Sequence, residues 1–184
     1  LFLVVSIIVA SILLTLMAYG FALQAMFDNP LKLQLLNTLK LAQVGFIVRD
    51  IETTKVKFAE FFGMPVPPTC DGGEFAVTGT TVNGQPAPDA NCKMAFFDLE
   101  NVQLELIEPN GAKSTWQDFL DQHGEGIHHI AFGVKGTDQM ILNCEAMGMK
   151  CVQRGKYGDG GGEYAYMDAT DQWKCFIETL ESYR

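Results

Sequence analysis

Gly126-Ile127-His128-His129-Ile130-Ala131-Phe132 holds two of the three histidines in the chain. A glycine followed by β-branched and aromatic residues at 127, 130 and 132 reads as the start of a β-strand. Strand side chains alternate between faces. The reading therefore puts His129 on one face with Ala131 and Gly133, and His128 on the other with Ile130, Phe132 and Val134. Small neighbours leave His129 room for a ligand. The apolar face predicts a packed, hydrogen-bonded His128.

The same pattern occurs earlier. Gln43-Val44-Gly45-Phe46-Ile47-Val48-Arg49 lines up with His129-Ile130-Ala131-Phe132-Gly133-Val134-Lys135. Each is followed by a helix-like segment and a Gly-Met pair, Gly63-Met64 and Gly148-Met149. Further on, Leu104-Glu105-Leu106-Ile107-Glu108 lines up with Ile177-Glu178-Thr179-Leu180-Glu181. Two copies of one module explain this most simply. Gln43 then occupies the place of His129, and Glu105 the place of Glu178, and pseudo-symmetry would bring the four together.

The residues from 41 onward suit one domain of ordinary size. A formal charge of −9, with no basic run, argues against nucleic acid as a partner. The five cysteines (Cys70, Cys92, Cys144, Cys151, Cys175) show no CxxC spacing, so no structural zinc site is expected. Cys70 and Cys92 flank a Gly/Pro-rich segment and could pair if the domain is exported; ordinary reduced thiols are the other reading.

Residues 1–27 carry no charge, and Leu1 to Met17 is almost wholly apolar. The stretch is expected to be one hydrophobic helix, a transmembrane anchor, since a span needs about 20 residues. A signal peptide cleaved near residue 22 is the alternative. The chain would accordingly be membrane-anchored, or exported if residues 1–22 are removed. Residues 28–40 read as a linker.

The domain is expected at 41–184, with modules at 41–109 and 127–182. In the first, Leu41 to Val48 reads as a strand and Glu52 to Phe62 as a helix that ends at Gly63. Glu74 to Val82, Cys92 to Asp98 and Val102 to Glu108 read as strands, with Gln85 to Ala90 a loop. Ser114 to Gln122 reads as a connecting helix with Ser114 as N-cap and Gln117 completing a capping box. In the second module, strands are expected at Ile127, Lys150 to Gln153, Glu163 to Met167 and Trp173 to Leu180, with a helix from Asp138 to Met147. The fold class is therefore α+β, two βαβββ modules. Gly158 to Gly162 reads as a hairpin loop, with a lid that also uses Tyr157, Tyr164 and Tyr166 as the alternative. Glu108 and Glu181 at strand ends read as solvated.

Gln43, Glu105, His129 and Glu178 offer one amide oxygen, one imidazole and two carboxylates. That set suits one divalent ion of intermediate hardness, Zn²⁺, Ni²⁺, Co²⁺, Mn²⁺ or Fe²⁺, with coordination positions left open for a substrate.

Residues 41–182 resemble the vicinal oxygen chelate superfamily, which includes glyoxalase I, methylmalonyl-CoA epimerase, extradiol dioxygenases and bleomycin-resistance proteins. The resemblance is carried by Gly124-Glu125-Gly126-Ile127-His128-His129-Ile130-Ala131-Phe132 and by Val102-Gln103-Leu104-Glu105-Leu106-Ile107-Glu108-Pro109. Both stretches look most like the epimerase, whereas the Gln, Glu, His, Glu set is similar to one branch of glyoxalase I. The resemblance implies paired modules curled around a metal held by Gln43, Glu105, His129 and Glu178. It implies a lyase or isomerase acting on a small-molecule substrate by proton transfer beside a carbonyl through an enediolate, with Glu178 as base and Glu105 as its partner. A non-catalytic binder of the bleomycin-resistance kind is the alternative. Pairing of two chains into a homodimer is left open.

Overall fold

The computed structural model describes Met17, Leu36, Thr38 and residues 40–184. Ten strands form one mixed sheet: β1 (Leu41–Ile47), β2 (Cys70–Asp71), β3 (Thr81–Val82), β4 (Gln85–Pro86), β5 (Cys92–Asp98), β6 (Gln103–Pro109), β7 (Gly126–Gly133), β8 (Lys150–Lys156), β9 (Gly162–Asp168) and β10 (Phe176–Ser182). Helices α1 (Ile51–Phe62), α2 (Phe75–Thr78), α3 (Thr115–His123), α4 (Thr137–Glu145) and α5 (Thr170–Trp173) complete the described elements.

The strand order is β2-β5-β6-β1-β7-β10-β9-β8-β3-β4. The first four strands belong to the first module and the next four to the second, in mirrored order, with β3 and β4 of the first module added at the far edge. Parallel pairing of β1 with β6 is matched by parallel pairing of β7 with β10, and β1 and β7 meet antiparallel at the centre. The repeat read in the sequence is thus a pseudo-two-fold axis between β1 and β7.

The sheet has to curl. In a flat sheet the eight steps from β2 to β3 would separate those strands by about 38 Å, at ~4.8 Å per step. Residues 72–80 join them and include the α2 turn, so they reach only about 27 Å. The result is a half-barrel with a concave interior. Phe46 on β1 and Val48 just after it lie on the convex side, where α1 packs with Ala95, Phe97 and Leu106. On the second module, α4 covers Met167 and Ile177 in the same way. Leu36, expected in a linker, packs against this second core.

Several expectations need correction. The stretch expected as a strand from Glu74 to Val82 is a helical turn, α2, closed by Gly79 at φ 54°, followed by the two-residue β3. The first module's second strand is the shorter β2, and the β3–β4 hairpin pairs across with β8 of the other module. Ser114 caps α3 by accepting from the Gln117 N–H at 3.1 Å, but the Gln117 side chain donates to Asp121 and forms no capping box. Cys70 and Cys92 are separate thiols.

The placement of the chain at a membrane is also corrected. Among the described residues no helix is long and apolar enough to cross a membrane. Those helices run from four to twelve residues, against about 20 for a span. The hydrophobic stretch at 1–27 lies, Met17 apart, outside the described residues.

Glu108 and Glu181, read as solvated, have equivalent structural duties. Glu108 Oε2 accepts from the Ile51 N–H at 2.8 Å, and Glu181 Oε2 accepts from the Thr137 N–H at 2.8 Å. Each module's last strand therefore caps its own helix. α1 has a second cap in Asp50, but the residue before α4 is Gly136, which brings no side chain. Glu181→Ala is accordingly expected to cost about 1 kcal/mol in a denaturant titration. The backbone N–H groups of Gly136 and Thr137 hold the Glu181 carboxyl below its ordinary 4.5. A depressed folded value means stability present above about pH 4.5 and lost as pH falls through the folded value. The gap in stability between wild type and Glu181→Ala should therefore close on acidification; a gap unchanged down to acid unfolding would refute the cap.

Candidate active site

Cross-strand register builds the site. Gly45 on β1 lies between Glu105 of β6 and His129 of β7, and Ala131 on β7 lies between Gln43 of β1 and Glu178 of β10. All six are on the concave face. The two small residues form a floor over which the larger side chains reach. The register leaves no alternative at position 45: a Cβ there would lie 1.9 Å from His129 Cε1 and 2.4 Å from its Nε2.

Three of the four expected residues converge. His129 Nε2 is 3.3 Å from Glu105 Oε2 and 3.1 Å from Glu178 Oε2, and donor atoms of the three lie within 4.8 Å of one another. All three side chains are buried, at 0%, 6% and 3% exposure. Gln43 is half-buried and lines the same cavity as the two glutamates. Its amide nitrogen donates to Gln103 Oε1, which leaves the amide oxygen as its remaining donor atom.

The electrostatics favour a cation here. Burial raises the Glu105 carboxyl, His129 opposes that, and Glu178 adds to it by repulsion. Burial pulls the His129 imidazole down, but Glu178 and Glu105 prevail and lift it to about 10. His129 Nε2 and Glu178 Oε2 nonetheless make no well-aligned hydrogen bond. Two buried carboxylates against one imidazole, with orphaned donor atoms between them, fit a divalent ion of intermediate hardness.

His128 does not point where alternation put it. Gly45 pairs with His129 but Phe46 pairs with Ile127, so His128 is the extra residue of a β-bulge. The bulge turns its ring inward, beside Phe119, Tyr166 and Phe176, with its Nδ1 3.1 Å from His129 Nδ1. Burial first, then the neighbouring His129, holds the His128 imidazole well below its ordinary value. A bulge leaves no mark in residue types, so it is not legible in the sequence. Gly45 was legible only as a gap in an apolar run.

The cavity above the floor is about 710 Å³. Its wall includes Phe96, Trp116, Tyr164 and Tyr166, and Trp116 Nε1 donates to the Tyr166 hydroxyl at 3.1 Å. Burial, aided by the site glutamates, pushes the Tyr166 hydroxyl well above its ordinary value, so it stays neutral. The glycine loop stands at the rim. Tyr157, Gly158 and Asp159 line the cavity, and Gly73 and Gly158 touch across it. A Cβ on Gly73 would lie 2.4 Å from the Gly158 Cα, and Gly73 has φ 102°. Gly73→Ala should therefore destabilise the fold by about 1–3 kcal/mol, measured by urea unfolding; a neutral result would show that the two loops part easily.

A half-barrel of two pseudo-symmetric modules with an acidic–imidazole cluster on its floor defines a class. Residues 42–166 match the model of the Glyoxalase/Bleomycin resistance protein/Dioxygenase superfamily, and the chain belongs to that family. Among curated proteins it is similar to the uncharacterized protein YqjC of Bacillus subtilis, 30% identical over 89 residues. That match covers 48% of this chain and 64% of YqjC, less than two thirds of its length. It is also similar to the mitochondrial methylmalonyl-CoA epimerase of Bos taurus, 22% identical over 77% of this chain and 74% of that one. Among solved structures it resembles a variant methylmalonyl-CoA epimerase of Streptomyces coelicolor in complex with 2-nitronate-propionyl-CoA. There the TM-score is 0.56 at 20% identity, over 79% of this chain and 98% of that chain. At that identity the likeness speaks for the fold.

Proposed function

We propose that this chain is a metal-dependent isomerase of the epimerase kind, moving a proton on the carbon beside a substrate carbonyl. The observation that carries this reading is the convergence of Glu105, His129 and Glu178, three buried groups from three strands, on one point of the cavity floor. A pure binding cup has no use for two buried carboxylates aimed at one point, since their desolvation is costly. The epimerase neighbours support the reading.

Gln43, Glu105, His129 and Glu178 would hold the ion, three through buried atoms and Gln43 through its amide oxygen. A divalent ion bound there supplies polarisation of the substrate carbonyl, which acidifies the adjacent C–H. Glu178 takes that proton. Glu105 comes from the opposite module and stands across His129 Nε2 from Glu178, so it is placed to return a proton to the other face. The aromatic wall excludes water while the carbon is deprotonated. Neutral Tyr166 and Trp116 at that wall bring no competing charge.

The test is the metal content of the full chain purified without added metal, beside His129→Ala/Glu178→Ala. About one transition metal per chain, absent from the variant, is the expected result. Solvent deuterium should then enter the α-carbon of branched acyl thioesters in the presence of the wild type. No ion bound or taken up from a panel of divalent metals would sink the enzyme reading and leave a ligand-binding cup.

A further inference from the structure

We propose that His128 is the positioning residue for His129, accepting a hydrogen bond at Nδ1 from His129 Nδ1–H and so committing His129 Nε2 to the metal. The proposal rests on the metal reading above. Its ground is the geometry of the bulge. The 3.1 Å Nδ1···Nδ1 separation is a hydrogen bond, and one of the two atoms must carry the proton. A ligand that offers Nε2 to a cation between two carboxylates carries its proton on Nδ1, which makes His128 the acceptor.

The repeat gives an independent argument. β1 has its own bulge at Ala42, between Leu41 paired with Phe132 and Gln43 paired with Ala131. Ala42 stands where His128 stands and offers no side-chain acceptor. In that module the ligand Gln43 is held instead by Gln103, from the neighbouring strand. The residue equivalent to Gln103 in the second module is Phe176, which cannot hydrogen-bond and instead stacks on the His128 ring at 4.6 Å. Each module thus supplies one polar partner to its ligand from a different place, and the position left over is apolar. His128 is further clamped edge-on by Phe119 and Tyr166, at 5.3 Å and 5.1 Å between centroids. A ring fixed on three sides cannot turn away from His129.

Two variants and two spectra test this on the full chain. His128→Phe keeps an aromatic ring between its neighbours and removes the acceptor; His128→Gln returns an acceptor. Zn²⁺ affinity should fall about 10–100-fold in His128→Phe and recover toward wild type in His128→Gln, with both variants folded by thermal melting. The Co²⁺-loaded absorption spectrum should change in His128→Phe alone. In metal-free wild type, NMR should show a scalar coupling between the two Nδ1 atoms across the hydrogen bond. Unchanged Zn²⁺ affinity in a folded His128→Phe, or absence of that coupling, overturns the proposal. A wild type that binds no ion removes the metal reading alone, and the coupling then decides by itself whether the imidazoles are bonded.

Discussion

Glu178→Gln should lower the rate of proton exchange at the substrate α-carbon by about 10²–10⁴-fold, the range over which a positioned general base contributes. The substitution keeps shape and one oxygen while removing the proposed base, so the fold and the floor of Gly45 and Ala131 are left intact. The comparison is with Gln43→Ala at matched metal occupancy. Gln43 is only half-buried and its nitrogen is already engaged by Gln103, so its loss removes at most one ligand atom. Exchange of α-hydrogen for deuterium, read by mass spectrometry, separates the two. Equal and mild losses would remove Glu178 from the role of base.

Gly45→Ala carries the second large effect. Its Cβ would lie 1.9 Å from Cε1, 2.4 Å from Nε2 and 2.5 Å from Nδ1 of His129. The backbone at Gly45 is ordinary strand, so no strain arises from the main chain. All of the cost falls on the imidazole, which is fully buried and hemmed in by His128 and Tyr166. Overpacking of this kind costs about 1–3 kcal/mol, and the displaced ring should take metal binding with it. Gly133→Ala is the control: it lies at the end of β7 on the same face as His129, nothing stands within 4 Å of its Cβ, and it should change stability by no more than about 0.5 kcal/mol. Gly45→Ala that binds Zn²⁺ as tightly as Gly133→Ala would show that His129 can reach the site by another path.

The sequence by itself determined the two modules, because a repeat is a comparison of residue types at fixed spacing and needs no coordinates. It also determined which face His129 takes, since strand alternation is local. It selected the acidic pair for the same reason: Glu105 and Glu178 hold equivalent places in matched strands, and the parallel pairings of β6 and β10 carry both onto the concave face. Gly63 at the end of α1 was legible too, and it takes φ 65°.

Tertiary structure alone decided the rest. The bulge at His128 arises from a register shift between two strands, and register is a property of a pair, so the histidine assigned to the convex face by alternation faces inward. The strand expected over Glu74 to Val82 became a helical turn and a two-residue strand because that segment must bridge the two ends of a curled sheet. The glutamates at the strand ends became helix caps because each module folds its last strand beside the start of its own helix. Gly45 looked like one small residue among apolar ones; its necessity appears only when His129, 84 positions later in the chain, is laid across it. Local physics put these side chains on one face, and only long-range packing could set the distances between them.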